Sequence, residues 1–77
     1  MSEFHLKTWV GHRMVSTILG NEKLRLPYET AVLNRDCKSA GGDRYPTEEE
    51  ARIGHALIVG DVINHPEKYD LRKFRTI

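Results

Sequence analysis

The clearest pattern of hydrophobic and polar positions lies between residues 43 and 64, and it predicts one long helix. Thr47 followed by Glu50 is typical of a capping box, and glutamates at 48, 49 and 50 favour the positive end of a helix dipole. Pro66 ends the helix, because the residue before a proline avoids helical geometry. One face carries apolar or small residues at helical spacing, namely Ala51, Gly54, His55, Ile58, Val59 and Val62.

Ile53 and Leu57 project to the opposite side of this predicted helix. A helix that is apolar on most of its sides is normally buried on most of its sides. Something is therefore expected to cover this second side, and three coverings remain open: the C-terminal tail, a second copy of the chain, or a different partner. The tail is a candidate because Leu71, Phe74 and Ile77 are spaced by three.

The residues before the helix have the composition of strands. Residues 6–19 are rich in β-branched and aromatic types, with Gly11 marking a bulge or a close backbone approach. A turn at 20–23 precedes an alternating segment, in which Pro27 indicates an edge position or a bulge because proline donates no ladder hydrogen bond. Residues 34–43, with Gly41 and Gly42 adjacent, are typical of a flexible surface loop.

These elements predict one small α+β domain spanning residues 1–77. An antiparallel β-hairpin or three-stranded sheet is formed by the strand region 6–33 and is covered by one long helix at 47–64. The loop 34–43 joins the two, and a C-terminal tail, 66–77, follows. A chain of this length is expected to have a stability of about 4 to 11 kcal/mol.

Charge and cysteine content narrow the functional classes. Twelve Lys and Arg against eleven Asp and Glu give a net charge of +1, which argues against a general polyanion binder. Cys37 is the single cysteine, so no internal disulfide forms, and the N-terminus has no signal-peptide pattern. No apolar run approaches the roughly 20 residues of a membrane span. We therefore expect a cytoplasmic protein that does not bind membranes.

No catalytic or metal-binding motif is present in the sequence. The histidines and Cys37 lack the spacing of a zinc site, so no metal or cofactor is expected. His55, on the inward face of the helix, is interpreted as a hydrogen-bonded core or boundary histidine, with a general base or a ligand as the alternative. Glu29 and Arg44 are expected to pair across the sheet as a structural clamp. With no constellation of nucleophile and base, we do not expect an enzyme.

Three segments together resemble a known group of proteins: VSTILG at 15–20, PYETAVL at 27–33 and RYPTEEEARIGH at 44–55. Their order is similar to that in short proteins of tailed bacteriophages that have no assigned activity. This chain departs from the pattern in its shorter turn before PYET and in Leu33, where an aromatic residue is common. The resemblance implies a phage or prophage origin, a bacterial host cytoplasm, and a role in host takeover, counter-defence or the virion. It provides no catalytic residues.

Two functional hypotheses follow. The first is an accessory protein that binds a host or phage protein, for example as an inhibitor of a host or defence protein such as a nuclease. Its candidate contact residues are Ile53 and Leu57 of the helix and Arg35 and Lys38 of the loop, and a homodimer is a variant of this hypothesis. The alternative is a nucleic-acid-binding accessory protein. Its phosphate contacts would come from the basic tail, with Lys68, Arg72, Lys73 and Arg75 as the candidate residues.

Overall fold

A computed structural model describes residues 4–34 and 39–69, with the backbone alone at 39–41. Four strands are followed by one helix and a short 3-10 turn. The strands are β1 (His5–Val10), β2 (Arg13–Leu19), β3 (Tyr28–Leu33) and β4 (Ser39–Tyr45); the helix is α1 (Glu48–Asn64) and the turn is η1 (Pro66–Tyr69). The α+β class is as predicted.

The four strands form a single antiparallel sheet in the order β1-β2-β3-β4. Each strand pairs with the next one in the sequence, which makes the sheet a simple meander. Gly11 lies in the β1–β2 turn with a φ of 64°, a left-handed conformation that glycine adopts without steric cost. A short connection of this kind lets consecutive strands pair without a long crossover.

Helix α1 packs on one face of the sheet, which we call the covered face, and contacts all four strands. Thr47 caps the helix by accepting a hydrogen bond from the Glu50 amide at 3.2 Å. The inward side of α1 is the predicted one. Ala51, Gly54, His55 and Val62 are buried, and Ile58 and Val59 pack against a core of Val15, Val32 and Val62.

Two expectations about the strands were wrong. The sheet has four strands, because a turn at Gly11 divides residues 6–19 into β1 and β2, and residues 39–43 of the predicted loop form the first part of β4 and pair with β3. Pro27 does not mark an edge: β3 lies between β2 and β4, and Pro27 precedes it. The missing amide of Pro27 is therefore outside the ladder, while its carbonyl accepts from the Gly20 amide at 2.8 Å.

Candidate functional site

A chain of buried and half-buried polar side chains connects α1 to the centre of the sheet. The Nδ1 of His55 lies 2.6 Å from the Thr17 hydroxyl, and the Nε2 lies 2.9 Å from the Thr8 hydroxyl. Thr17 is in turn 2.5 Å from the Thr30 hydroxyl, and Thr30 lies near enough to the Tyr45 hydroxyl to lower its pKa. Because these residues come from α1 and all four strands, the polar network links every main element of the fold.

The polar network keeps His55 neutral and closed to solvent. His55 is 7% exposed, and burial lowers its pKa because the charged ring loses hydration. In neutral imidazole one ring nitrogen donates and the other accepts, and the rotatable threonine hydroxyls satisfy either arrangement. The predicted role as a hydrogen-bonded core histidine is confirmed. With both nitrogens engaged, the ring is poorly placed to take a proton from a substrate.

Tyr45 closes the polar network where α1 comes nearest to β4. A side chain at Gly54 would overlap the Tyr45 ring, so the absence of a Cβ allows this close approach. Burial and the neighbouring Asp43 raise the pKa of Tyr45, and the hydrogen bond from Thr30 partly offsets them. Tyr45 is therefore a neutral hydroxyl at physiological pH, as a buried network requires.

The outward side of α1 is apolar, as expected from Ile53 and Leu57. Ile53 is 56% exposed and Leu57 is 69% exposed. The structure adds Ile63, which is 59% exposed, at the flank of the same side. Ala56 and Gly60 lie between these large residues, and the space around Gly60 is open. We call this surface the outer helix face: Ile53, Ala56, Leu57, Gly60 and Ile63.

Acidic residues accompany the outer helix face. Glu49 and Glu50 are exposed, and they lie four and three residues before Ile53. Residues at this spacing are neighbours on a helix surface, so the two carboxylates lie one turn before Ile53 on the same side of α1. Glu48 is instead paired with Arg52 at 3.0 Å. In the helix and η1, acidic residues outnumber basic ones by five to two, the set being Glu48, Glu49, Glu50, Asp61 and Glu67 against Arg52 and Lys68. The near-neutral total charge thus hides a local excess of negative charge.

The predicted clamp between Glu29 and Arg44 is present. The two residues are direct partners in the β3–β4 register, and their charged groups are 2.7 Å apart. Arg44 also donates to the Leu26 carbonyl at 3.2 Å, which ties the β2–β3 connection to β4. Both side chains are more than one-third exposed. This pair is expected to contribute less than about 1 kcal/mol.

The basic residues proposed for nucleic-acid binding are only partly described. Lys68 lies in η1 and pairs with Asp61 at 3.3 Å. Tyr69 donates to the same carboxylate at 2.5 Å, which lowers the pKa of Asp61, while burial and Asp61 raise the pKa of Tyr69 to about 12. Lys68 therefore serves a local contact. Arg72, Lys73 and Arg75 lie outside the described residues, together with Leu71, Phe74 and Ile77.

The loop candidates Arg35 and Lys38, and the cysteine Cys37, also lie outside the described residues. Within residues 4–34 and 39–69, no group of three potential metal ligands comes together. No helix in this part of the chain is long and apolar enough to cross a membrane.

The fold defines a class: a four-stranded antiparallel meander with one helix on a single face. Searches with protein-family models, among curated proteins and among solved structures found no match to this chain. Function therefore has to be inferred from the surfaces and the polar network themselves.

Sequence reasoning missed the polar network and Ile63. Alternation along β2 and β3 does place Thr17 and Thr30 on the same side as Val15 and Val32, which was a usable signal. Their meeting with His55, however, depends on strand register. Ile63 was not selected because its apolar neighbours lie on the inward side of the helix.

Proposed function

We propose that the protein is a non-catalytic accessory protein that binds another protein through the outer helix face. One observation carries this: three large aliphatic side chains, Ile53, Leu57 and Ile63, each have more than half of their surface exposed on a single helix. Scattered exposed hydrophobic residues are normal, but a contiguous apolar group framed by charges is typical of a binding surface.

The charges around the outer helix face indicate the chemistry of the partner. Glu49 and Glu50 sit beside the apolar residues, and α1 with η1 has an excess of acidic groups among the described residues. The complementary surface is an apolar groove bordered by Lys or Arg side chains. A protein that handles nucleic acid has such basic clefts, in agreement with the earlier hypothesis of a nuclease as target in a bacterial host cytoplasm.

Apolar contact alone would give weak binding. Covering the exposed parts of three aliphatic side chains contributes roughly 3 to 5 kcal/mol, given about 1.5 to 3 kcal/mol for burying a whole side chain. Association costs about 4 kcal/mol or more in lost freedom. The carboxylates are therefore expected to add both affinity and association rate, and binding is expected to weaken with salt.

The experiment is affinity capture from bacterial lysate with three forms of the full chain. Wild type is compared with Ile53→Glu/Leu57→Glu and with a control, Lys23→Glu, which changes charge in the exposed β2–β3 connection. We expect a basic partner that is retained by wild type and control, lost with the double variant, and released by added salt. Equal capture by all three forms would refute the outer helix face as the binding surface.

A second double variant tests the charge component. Glu49→Gln/Glu50→Gln keeps the apolar residues and removes the two first-turn charges that have no ion-pair partner among residues 4–34 and 39–69. We expect tenfold weaker binding at low salt and a smaller difference at high salt. If the salt dependence is unchanged, the partner does not present basic groups to this end of α1.

A further inference from the structure

The sheet has a second face, opposite α1, which we call the open face. Residues directly opposite one another in an antiparallel sheet share a face, so the strand register defines three rows across it. Trp9, Met14 and Leu33 form the first row; Lys7, Ser16, Ala31 and Gly42 form the second; His5, Ile18, Glu29 and Arg44 form the third. On β2, the large apolar side chains of Met14 and Ile18 thus flank the small side chain of Ser16, which lies opposite Ala31.

The open face is unusually apolar for a surface in contact with water. Solvent-facing positions of an antiparallel sheet are commonly polar. Trp9, however, is 66% exposed, and Met14 and Leu33 continue its row across the neighbouring strands. The covered side has little core to compensate, since its fully buried apolar residues are three valines and Ala51 among the described residues. Covering the open face would therefore add much to a small hydrophobic core.

The charges of the open face exclude several kinds of occupant. Arg44 is neutralised by Glu29 at 2.7 Å, and the His5 ring bonds to the Ser16 hydroxyl at 3.0 Å. Lys7 is the remaining full charge in the three rows. A nucleic-acid backbone needs several cations, and the basic partner proposed for α1 would find no excess of carboxylates here. A face whose charges are paired apart from Lys7, and which carries Trp9, Met14 and Leu33 in one row, suits a second copy of itself better than a highly charged partner.

We propose that the open face is a self-association surface, on which a second copy of the chain packs sheet against sheet. Facing sheets pack about 10 Å apart, with side chains of one entering gaps of the other. Around a two-fold axis, Trp9 of each copy would lie over the small side chains Ser16 and Ala31 of the other. The two outer helix faces would then point away from each other, giving a bivalent binder.

The size of the open face is sufficient for such a dimer. Four strands spaced by about 4.8 Å, each six or seven residues long at about 3.3 Å per residue, cover roughly 400 Å² before side-chain relief is counted. The smallest stable interfaces bury about 500 to 600 Å² per partner. The flat outline of the open face is smaller than that range and side-chain relief adds to it, so we expect micromolar rather than nanomolar dissociation.

Trp9 is the single tryptophan of the chain, so its fluorescence reports on this face alone. Analytical ultracentrifugation and emission spectra of the full chain are recorded between about 1 and 200 µM, a range that brackets micromolar dissociation. We expect a dimer mass and a blue-shifted emission as concentration rises. Met14→Lys and, separately, Ala31→Arg should weaken association at least tenfold with unchanged circular dichroism.

Controls place the interface and separate this inference from the proposed function. Ile53→Glu/Leu57→Glu should leave the dimer intact; a monomer in that variant would locate self-association on α1 and overturn the inference. A wild-type monomer with constant Trp9 emission at all concentrations would also overturn it. Two results with a monomer would also overturn the inference. Salt-sensitive quenching of Trp9 fluorescence by an oligothymidine would identify nucleic acid as the occupant of the open face. A red shift of Trp9 emission on deletion of residues 70–77 would identify the C-terminal tail as the occupant.

Discussion

The polar network makes a quantitative prediction about Thr17. Its hydroxyl lies 2.6 Å from His55 Nδ1 and 2.5 Å from the Thr30 hydroxyl, and the residue is fully buried. Thr17→Val keeps the shape of the side chain and removes both hydrogen bonds. Each buried bond contributes about 1 kcal/mol, and leaving a buried partner unsatisfied costs about 1 to 3 kcal/mol. We expect a loss of roughly 2 to 4 kcal/mol.

This loss is large for a domain of 77 residues. Its total stability is expected at about 4 to 11 kcal/mol, and each kcal/mol shifts the melting temperature by roughly 4 to 8 °C at this size. Urea and thermal unfolding followed by circular dichroism measure the change. The matched control is Ser16→Ala, one residue away on the open face, where the bond to His5 is exposed. We expect the control to change stability by no more than about 0.5 kcal/mol.

A double variant tests whether Thr17 and Thr30 act together. Each single variant removes the bond between the two hydroxyls, and the double variant Thr17→Val/Thr30→Val also removes it only one time. The loss of unfolding free energy in the double variant should therefore be about 1 kcal/mol smaller than the sum of the two single losses. Strict additivity would mean that the two hydroxyls do not share a bond. If Thr17→Val costs no more than Ser16→Ala, the buried network does not stabilise the fold and the reasoning is refuted.

Two further predictions concern the same contact between α1 and the sheet. Gly54→Ala should destabilise the chain by about 1 to 3 kcal/mol, because the added methyl group overlaps the Tyr45 ring. The control, Gly60→Ala, places its methyl group in open space and should stabilise the chain by up to about 1 kcal/mol. Equal effects of the two variants in urea unfolding would contradict close packing at Gly54. Burial lowers the pKa of His55 in the folded state, so below pH 6.5 the unfolded chain binds a proton at His55 that the folded chain does not. The free energy of unfolding should therefore fall as pH drops below 6.5, by up to about 1.4 kcal/mol per pH unit. His55→Gln should reduce that slope, and a slope unaffected by His55→Gln would assign the pH dependence to other groups.

The polar network, the outer helix face and the open face have different roles. The network joins α1 to all four strands and leaves His55 without a free nitrogen. The residues of this network are therefore separate from those proposed for binding. Variants of the outer helix face, such as Ile53→Glu, should alter capture of a partner with little effect on unfolding, since that side chain is largely exposed.

The sequence by itself determined the helix, because helix signals are local. The Thr47 cap, the acidic first turn and Pro66 lie within or beside the segment they define, and the spacing of Ala51 and Val62 identified the inward side. The same periodicity placed Ile53 and Leu57 on the opposite side, which was expected to be covered, whereas both are more than half exposed among the described residues. These features need no knowledge of the rest of the fold.

Only the tertiary structure decided the number of strands and the neighbours of each side chain. Residues 39–43 have the composition of a loop, and they become part of β4 because β3 offers them an unpaired edge. Register then brought Thr17, Thr30 and His55 together across 38 residues and grouped Trp9 with Met14 on the open face. Pairing between distant segments depends on the whole sheet, so it is not encoded in any one stretch of sequence.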